Sequence, residues 1–555
     1  MDFSGLSEKL TGMKRDAEER DAKRLANELG LDYLDLSTTS VNLDAFKSIP
    51  EISAREANTV PVSLKAKKLM VAVANPKAPA TTALIKNLLT RYSVEVVVAS
   101  PAAIEKFLAN YSANIIEVKR EIVSRIDLTE TRIKKIGSEV GNIATAAAFM
   151  EKIAATPMPT TETMEAMLGA ALSCDASDLH FEASKEAVLL RFRIDGLLHD
   201  VVRFPHSVYK QILSRIKLMS NLKINIADIP QDGRFTIKAG MEEIEIRVSI
   251  IPSEFGEAIV MRVLNPKAIS LSLADLGLRP DDEEIAKLEI KRPNGMILVT
   301  GPTGSGKTTT LYAFLKAVAS SESKIITVED PIEYHLTGIE QTQVDPKSGY
   351  TFASGLRSIL RQDPDMILVG EIRDAETAEI AVQASLTGHL VFSTLHTNTA
   401  VGAVPRLLDI GIKPNIIGPA LTLIIAQRLV RRLCKFCRVE TPISPALKAK
   451  IDKFMASLPK RVKPYTEKFQ MFAPNGCDKC SNGYKGRLGI FEFLKLGGEF
   501  ESMINDEVTE FSLKKFALKR GYIEMQADGI LKAIAGMTTL EEVEKTTGPI
   551  EWSQE

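Results

Sequence analysis

The 555-residue chain has few aromatic residues and almost no net charge. Aromatic side chains make up 6% of the residues, and 70 Lys and Arg are balanced by 71 Asp and Glu. A protein that binds nucleic acid favours a concentrated basic surface or aromatic side chains that stack on bases. The composition therefore argues against nucleic acid as a partner.

The chain also lacks a long apolar run. A membrane-spanning helix needs about 20 consecutive apolar residues, and the longest candidate, residues 416–426, is shorter and contains Gly418 and Pro419. The first 24 residues are polar and charged, unlike a signal peptide. We therefore expect a cytosolic protein that reaches a membrane only through partners or surface docking, and its length predicts several domains.

A phosphate-binding motif stands near the middle of the chain. The sequence GPTGSGKTTT follows an apolar run at 296–300 and precedes a helical pattern, which is the strand–loop–helix context that this motif requires. Lys307 is positioned to reach the β- and γ-phosphates of a nucleotide, and the Thr308 hydroxyl to hold Mg²⁺. The predicted phosphate-binding residues are Gly301, Pro302, Thr303, Gly304, Ser305, Gly306, Lys307, Thr308 and Thr309.

Carboxylates follow two further apolar strands. The strand in KIITVEDPIEY ends in three carboxylates, Glu329, Asp330 and Glu333, which are candidates to position water and Mg²⁺. Glu371 comes after MILVG in a segment of Walker B form. The carboxyl ends of parallel strands converge on the ligand crevice. We therefore predict that Glu333 and Glu371 position water and Mg²⁺, whereas Asp374 is a candidate helix cap.

Histidines and arginines supply further polar candidates. His389 and His396 are seven residues apart and lie on opposite faces of a regular strand, so we predict a polar sensor role for one of them, His396. Arginines suited to bidentate phosphate contact lie upstream of the motif. The candidates are Arg193, Arg215, Arg234 and Arg247, and Arg191 shares a strand face with Arg193.

Four of the five cysteines form two C-x-x-C pairs. They are Cys434 with Cys437 and Cys477 with Cys480. Two such pairs in a cytosolic chain predict a tetrahedral thiolate zinc site. A redox pair and an iron–sulfur cluster are the alternatives, but no thioredoxin-like βαβ pattern surrounds either pair. Cys174 is left over and is expected to be buried.

The pattern of elements predicts five segments. Residues 1–115 read as a small α/β domain, 116–155 as a charged helical linker, and 156–270 as an antiparallel sheet with a helix. Residues 271–430 alternate strands and helices, which is typical of a parallel sheet. Residues 431–555 carry the cysteines and are then helical.

Together these motifs resemble the secretion ATPases that power type IV pilus assembly and type II secretion. The resemblance covers almost the whole chain and rests on GPTGSGKTTT, EDPIEY, RQDPDMILVGEIRD, TGHLVFSTLHTN, AQRLVRRLC, the two cysteine pairs, GYKGRLGIFE, ASDLHFE, RFRIDG and PQDGR. It implies a RecA-like P-loop ATPase domain preceded by a PAS-like α+β domain and a small N-terminal domain. It also implies that ATP lies between the last two domains, where middle-domain arginines complete the site.

The resemblance further implies a cytoplasmic homohexamer that uses ATP, Mg²⁺ and Zn²⁺. Such a motor acts on a polytopic platform protein of the inner membrane and on pilin or pseudopilin subunits. By motif, Glu371 is the Walker B carboxylate and Glu333 positions the hydrolytic water. Some relatives bind cyclic di-GMP through an Arg-Leu-Gly-led motif near the N-terminus. The first forty residues here offer only KRLANELG, so the sequence does not predict cyclic di-GMP binding.

Three other functions compete with an assembly or secretion motor. A pilus retraction ATPase usually lacks the long N-terminal domain and the cysteine pairs, both of which this chain has. A RecA-like nucleic acid translocase requires a basic groove or stacking aromatics. A nucleotide-binding protein without hydrolysis would leave the acidic segments without a role. For a motor, residues 266–276 are the expected hinge between the arginine-bearing and phosphate-binding domains.

Overall fold

The computed structural model describes residues 17–36, 45, 48–65, 67–109, 125–240, 242–266, 271–466, 468–504 and 508–552. They divide into two compact units. The first comprises the chain up to residue 126 together with 216–225 and 233–236, and the second comprises the remainder. Within the described ranges, no helix has the length and apolar character needed to cross a bilayer.

The N-terminal unit is a small α/β domain, as predicted. Its sheet has the strand order β1-β4-β3-β2, in which β3 and β4 are parallel and β2 and β3 form a hairpin. The strands are β1 Asp32–Tyr33, β2 Thr59–Lys65, β3 Lys68–Val73 and β4 Ser93–Val98, and the helices are 17–29, Glu51–Glu56, Pro79–Leu89 and Pro101–Ala109. Alternating apolar residues of these strands, such as Val60 and Val71, are fully buried.

A seven-stranded sheet forms the middle of the chain, with the order β5-β9-β10-β11-β6-β7-β8. Side chains alternate between buried and half-buried along β7, as expected where one sheet face packs on helices. The strands are β5 Arg125–Leu128, β6 Asp178–Ala183, β7 Val188–Ile194, β8 Leu197–Phe204, β9 Gln231–Ala239, β10 Glu242–Ser253 and β11 Gly256–Leu264. The helices are Glu130–Glu139, Ile143–Ala155, Thr160–Ser173 and His206–Met219.

Three segments of this part differ from the sequence interpretation. Residues 178–183 form β6 and residues 256–264 form β11, and neither strand was predicted from the sequence. Residues 125–155, read as a linker, contain β5 and two helices that bury Ile136 and Met150. These helices have few buried positions each, so their apolar face is too narrow to recognise without their neighbours.

The phosphate-binding domain is built on a second seven-stranded sheet with the order β14-β13-β15-β16-β12-β17-β20. Its first six strands are mutually parallel, and β20 runs antiparallel along β17. The strands are β12 Gly295–Thr300, β13 Ile325–Glu329, β14 Glu340–Gln343, β15 Met366–Val369, β16 Leu390–Leu395, β17 Leu421–Leu433 and β20 Tyr484–Lys495. Strands β12, β13 and β16 are buried along their whole length, which is typical of a parallel sheet covered on both faces.

Helices connect these strands and cover the sheet. They are Pro280–Glu289, Lys307–Val318, Phe352–Leu360, Ala375–Leu386, Ala403–Ile410 and Pro414–Ala420, with 3₁₀ turns at Leu273–Leu276 and Pro346–Ser348. The C-terminal part adds helices at Pro445–Ser457, Gly498–Glu501, Glu510–Leu518, Met525–Ile534 and Leu540–Thr547, and a hairpin of β18 Val439–Thr441 with β19 Met471–Ala473.

The C-terminal part is joined to the phosphate-binding sheet rather than merely following it. Strand β17 continues past the boundary predicted at residue 430, and β20 pairs with it from Leu423 to Leu433. Asp528, buried on the helix Met525–Ile534, accepts from the Phe491 N–H of β20 at 2.9 Å. The parallel α/β class is confirmed, and its sheet also includes a strand from the C-terminal part.

Candidate functional site

The phosphate-binding loop begins where β12 ends and leads into the helix Lys307–Val318. Gly301 and Gly306 have φ of 146° and 88°, which other residues rarely adopt. A Cβ on Gly301 would lie 2.5 Å from the Gln427 backbone oxygen, and one on Gly306 would lie 2.8 Å from Gln427 Nε2. Glycine is therefore required at both positions by conformation and by the close approach of β17.

Lys307 is held against its own loop. Its Nζ donates to the backbone oxygens of Gly301 at 2.9 Å and Pro302 at 3.1 Å. Burial lowers the pKa of Lys307, and the nearby Glu371 carboxylate opposes that shift. The hydroxyls of Thr300 and Ser305 are buried, and neither has a hydrogen-bond partner among the described residues. The loop thus presents a cation and an unpaired donor beside a helix N-terminus, which suits an anionic ligand.

A small cavity of about 140 Å³ brings the predicted motifs together. It is lined by the start of the helix Lys307–Val318, by the acidic segment at the end of β13, by the end of β15 and by the first residue after β16. The residues with chemical roles predicted from sequence that line it are Lys307, Thr308, Glu333, Glu371 and His396. Four segments that are distant in sequence thus meet at the carboxyl edge of one sheet, as the strand-end argument requires.

Glu371 is more buried than Glu333, the other carboxylate predicted for the site. Its side chain is 12% exposed, Arg373 Nη2 lies 2.6 Å from Oε1, and His396 Nε2 lies 3.3 Å from Oε2. The bond to Glu371 raises the pKa of Arg373. His396 contacts a carboxylate in the cavity, whereas His389 Nδ1 lies 3.1 Å from the Ala384 backbone oxygen. The two histidines therefore have different surroundings, as their spacing predicted.

Two other acidic residues have structural partners. Glu329 is buried, and it accepts from the Tyr312 hydroxyl and from Gln341 Nε2, the latter at 3.1 Å. Burial and the Glu329 charge raise the pKa of Tyr312. Asp374 caps the helix Ala375–Leu386 by accepting from the Thr377 N–H at 2.8 Å, so its helix-cap interpretation is correct.

A larger cleft of about 720 Å³ lies between the loop and the middle sheet. Four charged residues form a row across neighbouring strands of that sheet, because Arg247 is in register with Arg262, Arg262 with Asp178, and Asp178 with Arg193. Of these, Asp178, Arg193 and Arg262 line the cleft opposite Thr303 to Thr309. The strand pairing thus places cationic groups opposite the phosphate-binding loop.

Asp178 holds the two arginines that the middle sheet contributes to the cleft. Its carboxylate lies 3.4 Å from Arg193 Nε and 3.0 Å from Arg262 Nε, and its side chain is only 7% exposed. Sequence reasoning missed Arg262, Arg373 and the role of Asp178. The signal for Arg373 was its place two residues after Glu371, but Arg262 becomes a candidate only when the pairing of β6 with β11 is known.

The four predicted arginines divide into two groups. Arg193 lines the cleft, and Arg247 donates to Glu333 Oε2 at 3.1 Å and to the Ile332 backbone oxygen at 2.6 Å. Arg215 and Arg234 line neither cavity. Of the expected hinge 266–276, residues 267–270 lie outside the described residues, and residues 273–276 form a 3₁₀ turn.

The four paired cysteines converge in the C-terminal part. Their sulfur atoms all lie within 4.8 Å of one another, with Cys434 to Cys477 at 3.9 Å and Cys437 to Cys480 at 3.7 Å. Zn–S bonds of ~2.3 Å at tetrahedral angles place sulfurs about 3.8 Å apart. The arrangement therefore fits a tetrathiolate metal site, whereas Cys174 is a separate buried thiol.

Comparison with known proteins agrees with this arrangement. The family model described as "Type II/IV secretion system protein" matches residues 154–545, and the MshEN domain model matches residues 29–116. The first match covers the phosphate-binding domain and all of the middle sheet except β5, and it covers well over half of the chain.

Curated relatives are similar over most of their length. The chain is 42% identical to the type II secretion system protein E of Dickeya dadantii over 78% of this chain and 86% of that protein. It is 38% identical to the type IV pilus assembly ATPase PilB of Myxococcus xanthus over 95% of this chain and 90% of that protein. The solved ATPase DotB of Legionella pneumophila has a TM-score of 0.52 at 21% identity, over 73% of this chain and 98% of that one, and supports the fold.

Proposed function

The chain belongs to the Type II/IV secretion system protein family, and from that premise we propose that it is an ATP-hydrolysing motor for type IV pilus assembly or type II protein secretion. The observation that carries the proposal is the single cavity that joins Lys307 and Thr308 with Glu333, Glu371 and His396. A phosphate grip, carboxylates and a polar sensor are the groups that nucleotide hydrolysis requires.

The loop residues bind the triphosphate of ATP. Backbone N–H groups of the loop, apart from Pro302, which has none, and the helix N-terminus are the proposed donors to its oxygens, and Lys307 supplies a positive charge. Thr308 and Glu371 line the same cavity and are the residues that would hold Mg²⁺, which neutralises charge on the phosphates when it is bound. Glu333 orients the attacking water, and His396 keeps Glu371 in place.

The middle domain completes the site through its cations. Arg193 and Arg262 line the cleft opposite the loop, where Asp178 holds both. Guanidinium groups favour phosphate oxygens, so bound ATP draws the two domains together and phosphate release lets them separate. A ligand shifts this equilibrium only by its different affinity for the two states, and these contacts supply the difference.

The motor works as a homohexamer. Closure of successive sites around a ring would become rotation or axial movement against a platform protein at the inner membrane. Support comes from the resemblance of the whole chain to the pilus assembly and secretion ATPases. The chain is thus proposed to be cytoplasmic and peripheral to that membrane through its partners.

Coverage favours pilus assembly over type II secretion. The PilB relative aligns with 95% of this chain, including the N-terminal domain, whereas the type II relative from Dickeya dadantii aligns with 78%. Retraction is a weaker candidate, because this chain carries both a long N-terminal domain and the four-cysteine cluster. The MshEN match covers residues 29–116, which overlap the first forty residues in which no cyclic di-GMP motif was found. Binding of cyclic di-GMP is not part of this proposal.

Zinc is the proposed occupant of the cysteine cluster. The sulfur separations suit a closed site with four thiolate ligands and no open position. A site of this kind stabilises the fold of the C-terminal part and takes no part in nucleotide chemistry. The proposed cofactors are therefore Mg²⁺ at the nucleotide and Zn²⁺ in the C-terminal part.

The decisive experiment measures ATP hydrolysis by the purified chain, alone and with each possible activator. We expect turnover that rises with the cytoplasmic part of a platform protein and is unchanged by single- or double-stranded DNA. Stimulation by DNA alone would support the translocase instead. Restoration of pili, or of secretion, in a strain that lacks the gene then separates the two machines, with Lys307→Ala as the inactive control.

A further inference from the structure

A buried carboxylate in the last strand of the phosphate-binding sheet has no place in the proposed hydrolysis. Glu492 lies within β20, in the segment GYKGRLGIFE, and is 4% exposed. Two backbone N–H groups and one hydroxyl donate to it: Ala400 N at 2.8 Å, Met525 N at 3.1 Å and Tyr522 OH at 2.6 Å. Among its partners in the described part of the chain there is no cation.

The donors of Glu492 come from two separate parts of the chain. Ala400 belongs to the connection 396–402 between β16 and the helix Ala403–Ile410, and this connection begins with His396. Met525 is the first residue of the helix Met525–Ile534, and Tyr522 lies three residues before it. One carboxylate therefore bonds the backbone of the segment that carries His396 to the N-terminus of a C-terminal helix.

Two other contacts hold the same segment to the C-terminal part. Asn398 Oδ1 accepts from Arg428 Nη2 at 3.2 Å, and Arg428 Nη1 donates to the Thr546 backbone oxygen at 2.6 Å. The Thr399 hydroxyl donates to Glu510 Oε1 at 2.5 Å. Both involve partly or fully exposed side chains, which hold a backbone less firmly than a buried charge-assisted bond. Glu492 is the buried member of this set.

Burial raises the pKa of Glu492, and its three hydrogen-bond donors oppose that shift. Two N–H groups and a hydroxyl point at its oxygens, and a carboxylate is an acceptor only, with room for several donors. A glutamine would turn an NH₂ group toward at least one of these donors and leave it unsatisfied in a buried place. The group thus fits the position because all of its neighbours donate.

We propose that Glu492 is a positioning residue that fixes the segment 396–402, and through it His396, against Glu371, and so links the nucleotide site to the C-terminal helices. The short path supports this. His396 is four residues from Ala400, it follows directly on the buried strand β16, and its Nε2 lies 3.3 Å from Glu371 Oε2. Release of Ala400 would leave the segment held by its two flanking elements and by the exposed side-chain contacts of Asn398 and Thr399. The proposal rests on the proposed ATPase function for its kinetic consequence but not for its structural one.

The test compares Glu492→Gln with Glu542→Gln. Glu542 is also a buried carboxylate of the C-terminal part, but it bonds Arg431, at 2.5 Å, and not the segment 396–402. We expect Glu492→Gln to lower kcat for ATP about tenfold or more, because small misplacements near the reacting groups are costly, and to change KM little. We expect Glu542→Gln to leave kcat close to that of the unchanged protein.

A double-mutant comparison separates positioning from loss of structure. In a His396→Ala background, Glu492→Gln should cause almost no further loss of kcat, because the group that it positions is gone. Losses that multiply in the double variant, or an unchanged kcat in the single variant, would overturn the proposal. Tyr522→Phe, which removes one donor and keeps the carboxylate, should give a smaller loss with the same dependence on His396.

Amide hydrogen exchange tests the structural claim without any activity. In Glu492→Gln, residues 396–402 should exchange faster than in the unchanged protein, while the amides of β12 keep their protection. Tyr522→Phe serves here if Glu492→Gln does not fold. Unchanged protection of residues 396–402 would refute the positioning role, whether or not the chain hydrolyses ATP. A chain that hydrolyses no ATP would refute the proposed function but not the positioning role.

Discussion

Arg247 of the middle sheet forms an ion pair with Glu333 of the acidic segment, with Nη1 3.1 Å from Oε2, and it also donates to the Ile332 backbone oxygen at 2.6 Å. The pair joins the arginine-bearing domain to the residue proposed to orient water. The contact therefore fixes the orientation of Glu333.

Arg247 should thus affect turnover more than nucleotide binding. We expect Arg247→Ala to lower kcat about tenfold or more, because Glu333 loses the group that orients it and the segment 330–333 loses its tie to the middle sheet. Arg247→Lys retains the charge but not the two-pronged contact, and should recover only part of the loss. A steady-state assay of both variants checks this, and equal activity of Arg247→Ala and the unchanged protein would contradict it.

Glu371 should be required for hydrolysis but not for binding. Glu371→Gln keeps the shape of the residue and removes the charge that faces Lys307, Arg373 and His396. We expect ATP affinity to stay within about threefold and turnover to fall at least ~100-fold, since a neutral amide organises Mg²⁺ and water poorly. Calorimetry and a phosphate-release assay measure the two quantities. Lys307→Ala is the opposite case and should lose affinity first.

The pH dependence of binding should report the pair Lys307 and Glu371. Burial lowers the pKa of Lys307, and the Glu371 carboxylate raises it. Because phosphate binding needs the protonated amine, affinity for ATP should fall as pH rises through that pKa. Glu371→Gln removes the negative charge that raises the pKa of Lys307, so the affinity for ATP should begin to fall at a lower pH. Titrations from neutral to alkaline pH decide the point, and identical profiles would refute the coupling.

The sequence was sufficient to place the residues that belong to local motifs. The loop at 301–309 and the carboxylates Glu333 and Glu371 could be placed because strand ends of a parallel sheet converge whatever the strand order. The spacing of the four cysteines was enough to predict that they lie together. These predictions needed no knowledge of which strands are neighbours.

Contacts between strands of the middle sheet could not be predicted in this way. Arg262 lies beside Asp178 only because β11 pairs with β6, and β11 itself was not recognised. The helices at 130–139 and 143–155 likewise look like a linker until the helix Thr160–Ser173 and β8 are available to pack against. Side-chain pairs across a sheet depend on register, which is set by the whole fold.

Loss of the metal should lower the stability of the C-terminal part and leave the nucleotide chemistry little changed. We expect Cys434→Ser to abolish stoichiometric zinc and to lower the Tm of the C-terminal part by at least about 5 °C, since each kcal/mol lost shifts Tm by roughly 2–4 °C in a domain of 150–250 residues. Cys174→Ala is the control, because that thiol is buried outside the cluster and burial raises its pKa to about 12. Elemental analysis that finds no zinc, or another metal in its place, would refute the assignment.

Domain closure should depend on some, but not all, of the four arginines predicted from the sequence. Arg193 lines the cleft opposite the phosphate-binding loop, and Arg247 holds Glu333, whereas Arg215 and Arg234 line neither cavity. If ATP closes the cleft through cations of the middle sheet, Arg193→Ala should lower kcat/KM about tenfold or more. Arg262 is expected to behave in the same way.

Arg191 provides the matched control for Arg193. It lies two residues away on the same face of β7, but it pairs with Glu182 at 3.2 Å and Asp200 at 3.0 Å and does not line the cleft. Arg191→Ala should therefore keep most of the activity that Arg193→Ala loses. Arg215 and Arg234 could serve the nucleotide site of a neighbouring subunit. In that case Arg215→Ala and Arg234→Ala should lower activity only at protein concentrations at which hexamers form. Equal activity of Arg193→Ala and Arg191→Ala, with both near the unchanged protein, would mean that the middle sheet does not complete the site and that closure has another cause.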